Sequence, residues 1–165
     1  MITLKELDSV PAFKDLTDAQ LEALQKFGVK EDFKRGDLLF KEGDPADHLW
    51  IVTDGKVDLR FELPGNRQTS DENTISSLEG EDDKKTTLGW SCLVPPYRMM
   101  LSAYCTTRSC SVIRIAKKDM LDLYEKDTAM GYQIMSYLLK VLGYRFQQFQ
   151  DELVRHKGHD IMHSW

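Results

Sequence analysis

The chain is poor in histidine, poor in cysteine and short of positive charge, and each shortage removes a class of function. It has four histidines and three cysteines, with 22 Lys and Arg against 27 Asp and Glu, a net charge of −5. A small strand-rich metal enzyme needs two or three histidines on neighbouring strands, and the middle of this chain offers His48 alone. The cysteines, Cys92, Cys105 and Cys110, are odd in number, and Met1-Ile2-Thr3-Leu4-Lys5-Glu6 is not a basic-then-apolar leader. Reduced thiols in a cytoplasmic protein are therefore expected. Three sulfurs also fall short of a four-cysteine iron–sulfur site. An acidic chain, with a pI near 5.4, has no overall electrostatic pull toward nucleic acid or an anionic membrane. No apolar run reaches bilayer length, and no repeat of fixed period is present. There is no Ser/His/Asp or Cys/His arrangement in a sensible local context, and no glycine-rich phosphate loop leads into a helix. The chain is accordingly not expected to be an enzyme. His159 and His163 stand one helical turn apart, a spacing that can bind metal. Gly158 is expected to interrupt the helix there, so residues 158–165 read as a tail and no metal site is assigned.

What is present is helix, then many strands, then helix, in 165 residues. A chain of that size buries roughly 70% of its unfolded surface without staples. Thr17 with Gln20 three residues later is a capping box, and Leu16 and Leu21 are placed to staple across it. From residue 29 to 115 short apolar or alternating runs are cut by glycine turns: Lys34-Arg35-Gly36-Asp37, Lys41-Glu42-Gly43-Asp44 and Thr53-Asp54-Gly55-Lys56. Asp54-Gly55 between two apolar runs is a hairpin signal. Val57, Leu59 and Phe61 alternate with Asp58, Arg60 and Glu62, which predicts one buried and one wet face. Residues 73–78, 104–106 and 111–115 read as further strands, so the middle is a barrel or sandwich. Period 3.6 returns after Lys117. Met120, Leu121 and Tyr124 mark a short helix, and a long one starts at Asp127 or Thr128 and runs to about His156.

That long helix carries two stripes. Met135, Leu139, Leu142, Phe146, Phe149 and Leu153 follow a four-three spacing, the seam of a helix pair. Ile134, Leu138 and Val141 lie beside it in the first half only. About 28 residues make roughly 42 Å of helix, more than one small barrel covers. The first half is expected to pack on the barrel and the second on a partner: a second copy of the chain or, alternatively, another domain.

The segment Leu88-Gly89-Trp90-Ser91-Cys92-Leu93-Val94-Pro95-Pro96-Tyr97-Arg98 reads as a glycine turn, a short helical turn, a double-proline stop and an arginine before the next strand. A glycine leading into a helix start leaves amides free for an anion, and Arg98 could add a forked counter-charge. The alternative is that Trp90, Leu93 and Tyr97 pack the barrel mouth while Arg98 pairs with an acid.

Taken together, Pro11-Ala12-Phe13, Leu16-Thr17, the run Phe33-Lys34-Arg35-Gly36-Asp37-Leu38-Leu39-Phe40-Lys41-Glu42-Gly43-Asp44-Pro45-Ala46, then Leu49-Trp50-Ile51-Val52 and Gly55-Lys56-Val57 resemble the cyclic-nucleotide-binding domain of the Crp-Fnr-like superfamily. The resemblance spans residues 4–155. It implies a mainly β fold with flanking helices: an eight-stranded jelly-roll barrel over residues 1–126, and a dimerising helix over 127–157. It also implies a phosphate-binding cassette, in which Gly89 and Leu93 match the family pattern and Arg98 is similar to the phosphate arginine before the small residues Ser102 and Ala103. Trp90 stands where the family has a ribose-binding glutamate, and an indole cannot accept a hydrogen bond from a hydroxyl. This Gly-Trp-Ser variant carries the fold over but leaves the ligand open: cAMP, cGMP or another small anion. Regulators of the family carry a helix-turn-helix after the long helix; with the chain ending at Trp165, direct nucleic-acid binding is not expected, nor is a membrane partner.

The expected ligand site is thus Gly89, Trp90, Ser91, Cys92, Leu93, Tyr97, Arg98, Ser102 and Ala103. The expected function is a regulatory sensor that signals through the long helix. The competing expectation is a dimerisation or protein-interaction scaffold with Trp90 filling the pocket.

Overall fold

A computed structural model of the chain describes residues 2–62, 74–79 and 87–163. Helices open it. Helix α1 (Leu4–Asp8) and helix α2 (Asp18–Gln25) each begin with a capping box, from Thr3 and Glu6 and from Thr17 and Gln20. These satisfy amides that the first turn leaves without partners. A 3-10 turn, Pro11–Phe13, lies between them, and Leu7, Phe13, Leu16, Leu21 and Leu24 are buried.

Among the described residues eight strands follow: β1 (Val29–Lys34), β2 (Leu38–Phe40), β3 (His48–Asp54), β4 (Lys56–Arg60), β5 (Thr74–Glu79), β6 (Thr87–Leu88), β7 (Ser102–Cys105) and β8 (Ser109–Ala116). They form two four-stranded sheets, ordered β1-β8-β3-β6 and β2-β7-β4-β5, with antiparallel pairing throughout. First pairs with last, second with seventh, third with sixth and fourth with fifth, which is the nested pairing of a jelly roll. The mainly β fold with flanking helices is as expected; among the described residues the eight strands form two sheets, and no ladder joins one sheet to the other. The core lies partly between the sheets, where Trp50 of β3 meets Phe40 of β2 at 5.5 Å between ring centroids.

Gly55 departs from its local reading. Asp54-Gly55 does not close a hairpin, because β3 and β4 belong to different sheets; it is the corner at which the chain changes sheet. Gly55 has φ +76°, and a side chain there would press on the Ser109 carbonyl and reach within 2.9 Å of the Cys110 Cα. Both the turn and the close approach of β8 therefore require glycine. On β4 the wet face is not wet throughout. Asp58 is buried and held by Arg60 at 3.1 Å, while Phe61, just past the strand, is exposed.

Helix α3 (Lys117–Lys126) leads into α4 (Thr128–His163), a helix of 36 residues and so roughly 54 Å long. It continues through Gly158, past the expected end near His156, so residues 158–163 are helix rather than tail. Its stripe of Met130, Ile134, Leu138 and Val141 is buried. Each of these side chains contributes roughly 1.5–3 kcal/mol by leaving water, enough to fix the first half of α4 on the domain.

Candidate ligand site

The site grows out of β6, the edge strand of the first sheet, where Thr87 and Leu88 pair with Ile51 and Trp50. The chain then turns at Gly89, φ +76°. A Cβ at Gly89 would lie 2.8 Å from both the His48 carbonyl and Trp50 Cδ1, so close packing and left-handed backbone both exclude a side chain. One 3-10 turn follows, Trp90–Leu93. Ser91 and Cys92 are buried in it, while Trp90 and Leu93 are half-buried. Burial pushes the Cys92 thiol up to about 12, which keeps it protonated and unsuited to nucleophilic or metal chemistry.

The far end of the segment is laced to the Lys41–Asp44 turn. The Gly43 amide donates to the Met99 carbonyl at 2.8 Å, Met99 donates back to Asp44 at 2.9 Å, and Ala46 donates to Tyr97 at 2.8 Å. Arg98 bridges Pro45 and lies exposed, its Nη1 donating to the Gly43 carbonyl at 2.8 Å. Its partner is thus a backbone oxygen, not an acid. Tyr97 is exposed at φ 56° with Lys117 Nζ 3.4 Å from its ring centroid. The second glycine turn therefore acts as a clamp on residues 97–99.

Ser102 and Ala103 lie on β7, facing opposite ways. Ala103 is fully buried opposite Leu59. Ser102 is fully buried opposite Arg60, and its Oγ accepts from the Glu42 amide at 2.9 Å. It belongs to a polar cluster in which the Tyr104 hydroxyl donates to Glu62 at 2.7 Å. Hydrogen bonds from Ser102 and then Tyr104 hold the Glu62 carboxyl below its ordinary value. Gly89 to Arg98 thus form one continuous structural unit. Ser102 joins the polar cluster around Glu42 and Glu62, while Ala103 packs in the core.

Two residues near this segment escaped the sequence reading. Trp50 packs against Phe33, Phe40 and His48, with the Arg114 guanidinium 5.9 Å from its ring. Its Nε1 is buried without a partner. Period two places Trp50 inside, but only the β3–β6 register places it beside Gly89. Arg145 of α4 is the other; its Nη2 donates to the Thr87 carbonyl at 3.2 Å. A helical stripe reading finds apolar positions and passes over such a residue. His48 is held below its ordinary pKa by burial and then by Arg114, so it is neutral near pH 7. Among the described residues no three His, Cys, Asp or Glu gather to hold a metal, all three cysteines are free and buried, and no helix is long and apolar enough to cross a membrane.

Paired sheets, flanking helices and a glycine-led turn between β6 and β7 define a class that comparison with known proteins names. The family model described as the cyclic nucleotide-binding domain matches residues 30–127, and the chain belongs to that family. A crystal structure assigned as a cyclic nucleotide-binding protein from Geobacter metallireducens GS-15 is similar at TM-score 0.72 and 25% identity, over 88% of this chain and 99% of that one. A cyclic nucleotide-binding domain from Methylobacillus flagellatus KT shares the fold at TM-score 0.76 and 18% identity, over 93% of this chain and 83% of that one. Among curated proteins, a CRP-like cAMP-activated global transcriptional regulator from Mycobacterium tuberculosis is 36% identical over 56 residues, 34% of this chain and 25% of its own. The matched segments span a quarter or less of the curated relatives. The family is one of regulatory and sensor modules, and the Crp-Fnr-like resemblance stands.

Proposed function

We propose that this chain is a non-catalytic, cytoplasmic sensor module that takes a small anionic ligand, a cyclic nucleotide or a related anion, at residues 89–98 and passes occupancy to α4. The observation that carries this reading is the construction of that segment. A glycine turn that admits no side chain leads into a short helical turn, and the far end is clamped by three backbone hydrogen bonds next to Arg98. Trp90 is only half-buried, which leaves it free to move from the place where the family has its glutamate. The cytoplasmic assignment rests on the three free thiols.

The same reading gives α4 a partner. Met135, Leu139, Phe146 and Phe149 are exposed, and Leu142 is half-buried; the Leu153 side chain lies outside the described residues. A side chain added at Gly143 would meet nothing among the described residues within 4 Å, so this face has room for a second backbone. A homodimer along this seam is the arrangement proposed, and occupancy would act on it by favouring one of two placements of α4.

A scaffold that binds no small molecule is the second reading. The packing of Trp50 against Phe33 and Phe40 favours it, since it fills the space between the sheets beside Gly89. A ligand of the folded state raises thermal stability by mass action. A panel of cAMP, cGMP and small anions should therefore include at least one that raises the midpoint. A flat panel would favour the scaffold. Where one compound does stabilise the protein, Arg98→Ala is expected to abolish its effect, and an unchanged response would remove Arg98 from the site.

A further inference from the structure

Among the described residues, six side chains enclose a polar atom without a hydrogen-bond partner: Trp50, Arg60, Thr87, Arg114, Tyr124 and Arg145. In the three arginines the orphan is Nε, and another N–H of the same fork is engaged: Arg60 with Asp58 at 3.1 Å, Arg114 with Glu31 at 2.6 Å, and Arg145 with the Thr87 carbonyl at 3.2 Å. Thr87 and Tyr124 carry hydroxyls, which rotate and accept as well as donate. Thr87 pairs with Ile51 and Leu88 with Trp50, so Thr87 lies on the other face of the sheet from Trp50. Trp50 differs in kind. Its Nε1–H is the one polar group of the side chain, it donates only, and the residue is 6% exposed. None of its ring neighbours receives that hydrogen. Phe33 and Phe40 are hydrocarbon, the Arg114 guanidinium is itself a donor, and His48 stands edge-on with ring centroids 6.4 Å apart. An enclosed donor costs free energy until an acceptor reaches it.

The direction of that donor is fixed by its neighbour. A Cβ at Gly89 would stand 2.8 Å from Trp50 Cδ1, and Cδ1 is the carbon bonded to Nε1. The edge of the indole that carries the N–H is therefore the edge turned toward Gly89, the first residue of the ligand segment. Residues 88–103 contain no Asp or Glu, so the segment brings no carboxylate to that edge. Arg98, near its far end, is a second donor. Donors at both ends of one segment suit a ligand that presents acceptor oxygens, as a phosphate ester or a carboxylate does.

We propose that the Trp50 indole N–H is a ligand-contacting donor, which holds an anionic oxygen of the molecule bound at residues 89–98. This rests on the sensor reading above and deepens it: Trp50 is the floor of the site instead of its filling. Recognition beside Gly89 then passes from an acceptor, the family's glutamate, to a donor on β3, and the group that is read is an oxygen that accepts.

The test uses cAMP as the probe. Titration calorimetry is run on wild type, Arg98→Ala and Trp50→Phe, and the indole N–H signals of wild type are followed by proton–nitrogen correlation spectra during the same titration. The chain has three tryptophans, so W50F assigns the Trp50 signal by its loss. Trp50→Phe keeps an aromatic ring against Phe33 and Phe40 and removes the donor. It should weaken cAMP binding by roughly tenfold or more, the effect of a lost hydrogen bond to a charged group. In wild type the Trp50 signal should move downfield and saturate with the calorimetric affinity. Wild-type affinity in W50F, or a Trp50 signal that stays in place while cAMP saturates the protein, overturns the role of Trp50; loss of binding in R98A then leaves the site reading intact. If W50F does not fold, Trp90→Phe and Trp165→Phe assign the Trp50 signal by elimination, and its movement or stillness in wild type decides. No binding to wild type overturns the site reading and the role of Trp50 with it.

Discussion

At the residue scale, Gly89 and Arg98 bound the ligand segment and were visible in different degrees. Gly89 was legible because glycine before a helical turn has a steric meaning, and the structure supplies it: φ +76° with the His48 carbonyl 2.8 Å from any Cβ. Gly89→Ala is expected to destabilise the fold by at least ~2 kcal/mol, from left-handed strain and overpacking together. Urea denaturation would check this, and a midpoint within error of wild type would show that β3 and the turn can separate. Arg98 was legible as an arginine near a turn, but not its partner. Its bond to the Gly43 carbonyl joins residues that only the fold brings together. Trp50 and Arg145 were hidden for the same reason: one needs the strand register and the other the path of a helix.

Elements were read well where period and caps decide, and poorly where the next element's destination decides. The capping box of α2 and the buried stripe of α4 follow from local spacing. Asp54-Gly55 was misread because a glycine of positive φ serves a hairpin and a sheet-changing corner alike; which one forms depends on whether β4 finds β5 and β7 or folds back on β3. Gly158 does not stop α4, as a glycine costs about 1 kcal/mol in a helix interior and does not forbid one. The exposed seam gives this scale its prediction. Leu139→Glu together with Phe146→Glu should convert a dimer to a monomer in sedimentation velocity, with the domain still folded, since both side chains are exposed within one chain. A wild-type chain that sediments as a monomer at tens of micromolar would contradict the seam.

For the whole molecule, the mainly β architecture with flanking helices was legible from turn spacing, while the nested pairing of the strands was not. Alternation along a strand says which face is buried, and the partner of each strand depends on pairings between distant segments. The N-terminal helix is tied to the first sheet by Glu6, 2.6 Å from Lys30. Hydrogen bonds from Lys30 and then from Thr3 lower the Glu6 pKa from its ordinary 4.5 to about 2. Because the folded-state value is depressed, its contribution to stability is present above pH 4.5 and is lost as pH falls toward 2. Glu6→Gln should therefore lower the thermal midpoint at pH 6 and leave it equal to wild type near pH 2. A constant difference across that range would mean that the ion pair plays no part.

The central claim is that this member of the cyclic nucleotide-binding family still takes a small anion despite Trp90. The measurement that tests it most directly is titration calorimetry of the purified chain with cAMP and then cGMP. Saturable heat with one of them, lost in Arg98→Ala, is the predicted result, and it would mean that the ribose is held without the family's glutamate. No heat with either, and no thermal stabilisation by any anion of the panel, would contradict the claim and leave a scaffold whose interior Trp50 has filled.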